Sequence, residues 1–120
     1  MTPNTTVMHV PDGHIAIELH DATLPSFRIA DPLHNYTTAV VTSYFYRLGA
    51  AIKAAGYHWP HMTVVIRPSV KLEQTHDLAI ALGVLIASGQ IKPTEGHHLG
   101  CLRLDGTIVG GSSLEEVCAR

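Results

Sequence analysis

A single small α/β domain, of the α+β kind with a mixed sheet and two main helices, is the fold this sequence predicts, and three patterns predict it. Near the N-terminus apolar residues alternate with polar ones, at Ile15, Ile17 and Leu19 and again at Phe27 and Ile29, which is the two-residue period of a half-buried strand. Over residues 36–55, Val41, Tyr44, Phe45, Leu48, Ile52 and Ala55 recur at three- and four-residue steps, the period of an amphipathic helix. Residues 78–87 are apolar throughout, which predicts a helix enclosed on every side.

The elements follow in order. Segments 6–10, 15–19 and 24–29, separated by Pro11-Asp12-Gly13 and by His20-Asp21-Ala22-Thr23, read as an antiparallel β opening. The first helix ends at Gly56, where a left-handed cap is expected. Residues 62–67, bounded by Pro60 and Pro68, are rich in β-branched side chains and lie between two helices, the setting of a strand reached by a right-handed crossover. The enclosed helix starts near His76, with Thr75 as its N-cap and Gly89 as its end. Asp105-Gly106 between 99–104 and 107–109 is a hairpin signal and predicts a two-stranded ribbon. Gly110-Gly111-Ser112-Ser113 then leads into a last helix in which Ser113 and Glu116 have capping-box spacing.

With 120 residues, 46% of them hydrophobic, the chain has material for one core, and a single domain over 1–120 is expected, with no repeat, linker or ATPase domain. The formal charge is −2 and the eight Lys and Arg are scattered. Tight nucleic-acid binding by this chain alone is therefore not expected. The first cationic side chain is Arg28, which leaves no charged start for a secretory signal, and the longest apolar run, 78–87, is far shorter than the ~20 residues that span a bilayer. The expected setting is cytoplasmic, without membrane contact. Cys101 and Cys118 have no metal-ligand spacing and read as two reduced thiols.

Several segments together carry a family resemblance. Ala55-Gly56-Tyr57-His58-Trp59-Pro60, Asp77-Leu78-Ala79-Ile80-Ala81, Ser88-Gly89-Gln90-Ile91 and Leu104-Asp105-Gly106 resemble the Lon-protease-like domain joined to the ATPase of ComM, the magnesium-chelatase-related (ChlI-type) AAA+ proteins, and to the ATPase of RadA. The likeness extends over roughly residues 15–120. The Tyr-His-Trp-Pro and Ser-Gly-Gln-Ile segments side with ComM, whereas the Glu73 to Asp77 spacing with Asp-Leu-Ala sides with RadA, so both subfamilies stay open. The resemblance implies a Lon-protease-domain-like (ribosomal protein S5 domain 2-like) βαβα fold. It also implies an assembly or regulatory role beside a DNA-recombination ATPase, with a homo-oligomer or an AAA+ ATPase in trans as partner.

Catalysis is not expected. A Lon-type peptidase needs a serine at the start of the core helix and a later lysine to take its proton. Here the helix start holds Gln74, Thr75 and His76, and no lysine follows Lys92. Nothing matches the phosphate-binding Gly-x-x-x-x-Gly-Lys-Ser/Thr loop either. The alternative is a small-ligand or enzymatic site in the loop before the core helix, where Lys71, Glu73, Gln74, Thr75, His76 and Asp77 place a cation, acids and an imidazole at a helix N-terminus that attracts anions. Tyr57 and Trp59 are the candidate interface residues, Trp59 as an anchor. No cofactor or metal is expected. Of the nine histidines, His58, His61, His97 and His98 are the weak metal candidates, since no Cys, Asp or Glu completes a recognisable set around them.

Overall fold

The computed structural model describes residues 4–119. The elements are β1 (Asn4–Val10), β2 (Gly13–Asp21), β3 (Ser26–Ile29), α1 (Thr38–Ala54), β4 (Met62–Pro68), a single 3-10 turn (Gln74–His76), α2 (Asp77–Ala87) and α3 (Leu114–Cys118). The four strands form one mixed sheet in the order β1-β2-β4-β3.

Alternation decides which face of that sheet is buried. Ile15, Ile17 and Leu19 of β2 are fully enclosed, as are Val64 and Ile66 of β4, and Met8, Val10 and Phe27 join them in one apolar cluster. Leu48, Ala51 and Ile52 of α1 and nearly all of α2 fill the other side of that cluster. Only the first residue of α2 is polar, and ten of its eleven residues are buried. At about 1.5–3 kcal/mol for each large apolar side chain removed from water, Ile80, Leu82, Val84 and Leu85 make this helix the centre of stability. The opposite face of the sheet, carrying His14, Glu18, His20, Arg28 and Arg67, is turned to solvent.

Both main helices close with the same device. Gly56 has φ +92° and Gly89 has φ +77°. At the end of α1, Gly56 N–H donates to Lys53 O and Tyr57 N–H to Ile52 O; at the end of α2, Gly89 N–H donates to Ile86 O and Gln90 N–H to Leu85 O. This is the Schellman pattern, which satisfies carbonyls a helix end leaves open and needs a left-handed residue. Thr37 caps the start of α1 by accepting from Val40 N–H at 3.2 Å, and Ser113 caps α3 by accepting from Glu116 N–H at 3.2 Å.

Four expectations are corrected. The third strand is not part of an antiparallel opening: β1 and β2 are antiparallel, but β3 runs parallel to β4. The long helix α1 returns the chain to the same end of the sheet, which makes β3-α1-β4 the crossover unit. That strand also begins at Ser26 rather than 24, because Leu24 is 71% exposed and Pro25 offers no N–H. The ribbon around Asp105-Gly106 shrinks to isolated bridges, Leu102 with Ile108 and Thr107 with Ser113. Its first arm is diverted, since Gly100 and Leu102 use their backbone groups on the residues that open α2. Finally, Thr75 is not the cap of the core helix. It sits inside the 3-10 turn, and the residue before α2 is His76, in helical conformation.

Candidate functional site

The polar residues that the sequence concentrates before the core helix do come together, but most of them are occupied with one another. Asp77 is the first residue of α2 and its carboxylate is fully buried. An unpaired charge there would be costly. Arg47, reaching down from α1, answers it with two bonds, Nε to Oδ2 at 3.0 Å and Nη2 to Oδ1 at 2.9 Å. Leu102 N–H adds a third, to Oδ2 at 3.1 Å. The planar guanidinium matches a carboxylate in this two-pronged geometry. Arg47 also donates to Ser43 Oγ at 3.3 Å and lies 4.8 Å above the centre of the Tyr44 ring. The hydrogen bonds to Asp77 push the guanidinium further toward its charged form. Burial, and then the Asp77 charge, push the Tyr44 hydroxyl up to about 12.

The backbone around Asp77 is closed in the same way. Leu78 N–H, one of the donors that a helix start leaves open, donates to Gly100 O at 3.1 Å, and Gly100 N–H donates to Thr75 O at 2.8 Å. The contact leaves no room for a side chain at residue 100, since a Cβ there would lie 2.9 Å from Ile108 Cγ2. His76 is 3% exposed. Its Nδ1 accepts from Glu73 N–H at 3.0 Å, so in the neutral ring the proton sits on Nε2, which faces Asp12 Oδ1 at 3.5 Å.

The approach to this buried pair is a cleft of about 480 Å³ between the first three turns of α1 and the loop after β4. Tyr36, Ser43, Tyr44 and Arg47 line one wall, and Lys71, Leu72, Glu73 and Gln74 the other. Tyr36 holds the two walls in register: its hydroxyl accepts from Leu72 N–H at 2.9 Å and donates to Asp31 Oδ2 at 3.2 Å. Burial is the largest influence on that hydroxyl and raises its pKa. Burial also pushes the Asp31 carboxyl upward, but hydrogen bonds from Leu33, His34 and Tyr36 outweigh it and leave the carboxyl below its ordinary value.

Of the residues the sequence singles out before the helix, Lys71, Glu73 and Gln74 face this cleft, Thr75 is exposed outside it, and His76 and Asp77 lie beneath it. The Tyr57-Trp59 turn is elsewhere. Tyr57 is half-buried and packs against the core, and Trp59 is half-buried, edge-on to Phe27 at 5.9 Å and tilted against Phe45 at 5.2 Å. The turn between them is pinned by Gln90, whose amide accepts from His58 N–H at 3.1 Å and donates to His58 O at 2.8 Å. His58, His61 and His97 are exposed and His98 is half-buried, and no group of three His, Cys, Asp or Glu able to hold a metal ion occurs among the described residues. No described helix is long and apolar enough to cross a membrane.

Sequence reasoning passed over Arg47, Tyr36 and Tyr44. A signal for Arg47 was present: an acid opening a wholly apolar helix needs a buried cation, and residue 47 interrupts the apolar stripe of α1 between Tyr44 and Leu48. Nothing comparable marks Tyr36, whose role depends on where the loop at Leu72 passes. A model of the family described as subunit ChlI of Mg-chelatase matches residues 32–119. That span begins just after Asp31 and takes in both walls of the cleft. No curated protein matches the chain.

Proposed function

The chain belongs to the family described as subunit ChlI of Mg-chelatase, and on that premise we propose that it is a catalytically inactive Lon-like module that assembles with, or regulates, an AAA+ ATPase of the ComM and RadA kind it resembles. The observation that carries the reading is the state of Asp77: three hydrogen bonds occupy a carboxylate with no solvent exposure. A reacting group must reach a substrate. Here the helix start, where a Lon-type peptidase would keep its serine, holds Gln74, Thr75 and His76; Thr75 is exposed and does not line the cleft, and it stands next to an imidazole and a carboxylate engaged in holding the fold together.

Contacts with an ATPase or a second copy would use exposed apolar surface. Tyr46, 71% exposed, and Val40, 39% exposed, project from α1, and Tyr46 borders a shallow hollow of about 410 Å³ with Phe45, Gly49, Ala50 and Lys53. Tyrosines of this sort are frequent anchors of interfaces. Light scattering across a concentration series, on the parent and on Tyr46→Lys, tests self-assembly, and mixing with a family ATPase tests assembly in trans. An oligomer or complex lost in the variant is the expected result. A monomer at every concentration that also ignores the ATPase would remove the reading, and peptide turnover abolished by Thr75→Ala would replace it with a catalytic one.

A second reading, a small ligand held in the cleft, is favoured by its size and by Lys71, Glu73 and Gln74 along its rim. Stabilisation by a ligand that disappears in Lys71→Ala would support it.

A further inference from the structure

The open face of the sheet concentrates charge in a way the whole chain does not. The chain carries a formal −2, yet among the ionised side chains on this face are Arg28 and Arg67 against the single acid Glu18, with His9, His14 and His20 beside them. Register shows how they meet. Val65 lies opposite Glu18 on one side and Arg28 on the other. Thr63 and Arg67, two residues away on the same strand and face, are its neighbours along β4, and His20 lies opposite Thr63. The long side chains fold over Val65, which is only 6% exposed although it points away from the core. Together His20, Arg28, Ala30, Thr63, Val65 and Arg67 enclose a hollow of about 380 Å³.

The donors around this hollow are largely unspent. Glu18 accepts from Arg67 Nε at 2.8 Å and pairs with His20 Nε2 at 3.0 Å, which neutralises the local negative charge and uses one of the five N–H donors of Arg67. Arg28 is exposed and makes no hydrogen bond or ion pair among the described residues. Two guanidinium forks diagonal to each other across β3 and β4, some 7–8 Å apart at the backbone, fit a tetrahedral anion better than a planar one, because they can approach its oxygens from two directions; the Thr63 hydroxyl, on the far side of Val65 from Arg67, accepts from Ser26 Oγ at 2.8 Å.

We propose that this hollow binds the phosphoryl group of a small ligand, with Arg28 and Arg67 as its two clamps. The site lies on the opposite face of the sheet from the Lys71 cleft and does not depend on it. Its exposure to solvent, with the Arg67 side chain 55% accessible, makes the binding salt-sensitive. The experiment is an NMR titration of the whole chain with phenyl phosphate and, separately, with benzoate, following backbone and arginine Nε signals at low and at physiological salt. Phenyl phosphate should shift the Arg28 and Arg67 signals saturably, weaken as salt rises, and bind about tenfold less tightly to Arg28→Ala, the loss of one charge-assisted contact. Because Arg28 has no hydrogen-bond or ion-pair partner among the described residues, that variant should lose only the cover its stem gives Val65 and stay folded, which a thermal melt of the variant checks, so weaker binding cannot be ascribed to misfolding. Lys71→Ala should bind as the parent does. The proposal is overturned by the absence of a saturable shift, by equal affinity in Arg28→Ala, by a loss in Lys71→Ala matching that in Arg28→Ala, or by benzoate binding as tightly as phenyl phosphate.

Discussion

Replacing Arg47 by methionine keeps an unbranched apolar stem but removes the guanidinium, and leaves the Asp77 carboxylate buried with only the Leu102 amide for company. Removing one member of a buried ion pair costs about 3–5 kcal/mol. The lower part of that range applies here, about 3–4 kcal/mol, because the Leu102 bond persists and Asp77 sits at the positive end of α2. A chain of 120 residues loses roughly 0.25 kcal/mol per degree at its midpoint, so Arg47→Met should melt about 12–16 °C below the parent. The companion variant is Asp77→Asn, which retains an acceptor for Leu102 N–H while removing the charge. Combined with Arg47→Met it should recover part of the loss, with a coupling energy of about 1.5–3 kcal/mol in the double-mutant cycle. Urea unfolding followed by circular dichroism on the four proteins measures every term. A single Arg47→Met within about 0.5 kcal/mol of the parent, or strictly additive effects in the cycle, would refute the claim that this pair is the polar lock of the core.

Tyr36→Phe removes the acceptor of the buried Leu72 amide and should cost about 1–3 kcal/mol, seen as a lower urea midpoint and as faster hydrogen exchange at residue 72. Two helical glycines should respond with opposite signs. At Gly83 a Cβ would collide with Ile17 Cδ1 and lie 2.9 Å from Met8 Cγ, so Gly83→Ala should lose about 1–3 kcal/mol to overpacking despite the better helix propensity; at Gly49 a Cβ meets nothing within 4 Å, and Gly49→Ala should gain about 0.5–1 kcal/mol in the same thermal melt. The Glu18 carboxyl is held below its ordinary value by hydrogen bonds from His20, first, and Arg67. A carboxyl with a lowered pKa contributes stability that is present above its unfolded value and is lost as pH falls through the folded one. Arg67→Gln should therefore flatten the acid limb of a stability-versus-pH curve below the ordinary 4.5, and an unchanged limb would show that Arg67 contributes nothing there.

The parts of the fold legible in the sequence were those set by local chemistry. Alternation at Ile15, Ile17 and Leu19, the three- and four-residue steps of α1 and the unbroken apolar run of α2 each have one structural solution. Gly56, Gly89 and Ser113 announce their caps because few other residues can occupy them. What was not legible depends on partners far along the chain. Ser26–Ile29 has the same alternation whether its neighbour runs parallel or antiparallel, and only the return of the chain through α1 decides. Asp105-Gly106 does form its turn, with Gly106 at φ +85°, but its signal says nothing of the competing demand from Thr75 and Leu78 that draws Gly100 away. The same limit applies to the site. Lys71, Glu73 and Gln74 were visible as a polar loop, whereas the division of Glu73 to Asp77 into cleft-facing and buried members required Arg47, thirty residues earlier in the chain.

The ties between Asp77 and Leu102, Leu78 and Gly100, and Gly100 and Thr75 also bear on the order in which a ribosome delivers the chain. When α2 emerges, Arg47 is already available to the Asp77 carboxylate, but one further acceptor site on that carboxylate and a first-turn N–H still lack partners that are encoded 25 and 22 positions later. Until residues 100–102 arrive, water must serve those groups, and the start of α2 cannot be sealed into the apolar layer. Stalled nascent chains ending before and after this segment should therefore differ abruptly in resistance to protease, with the last step of folding timed by a short stretch that belongs to neither main helix.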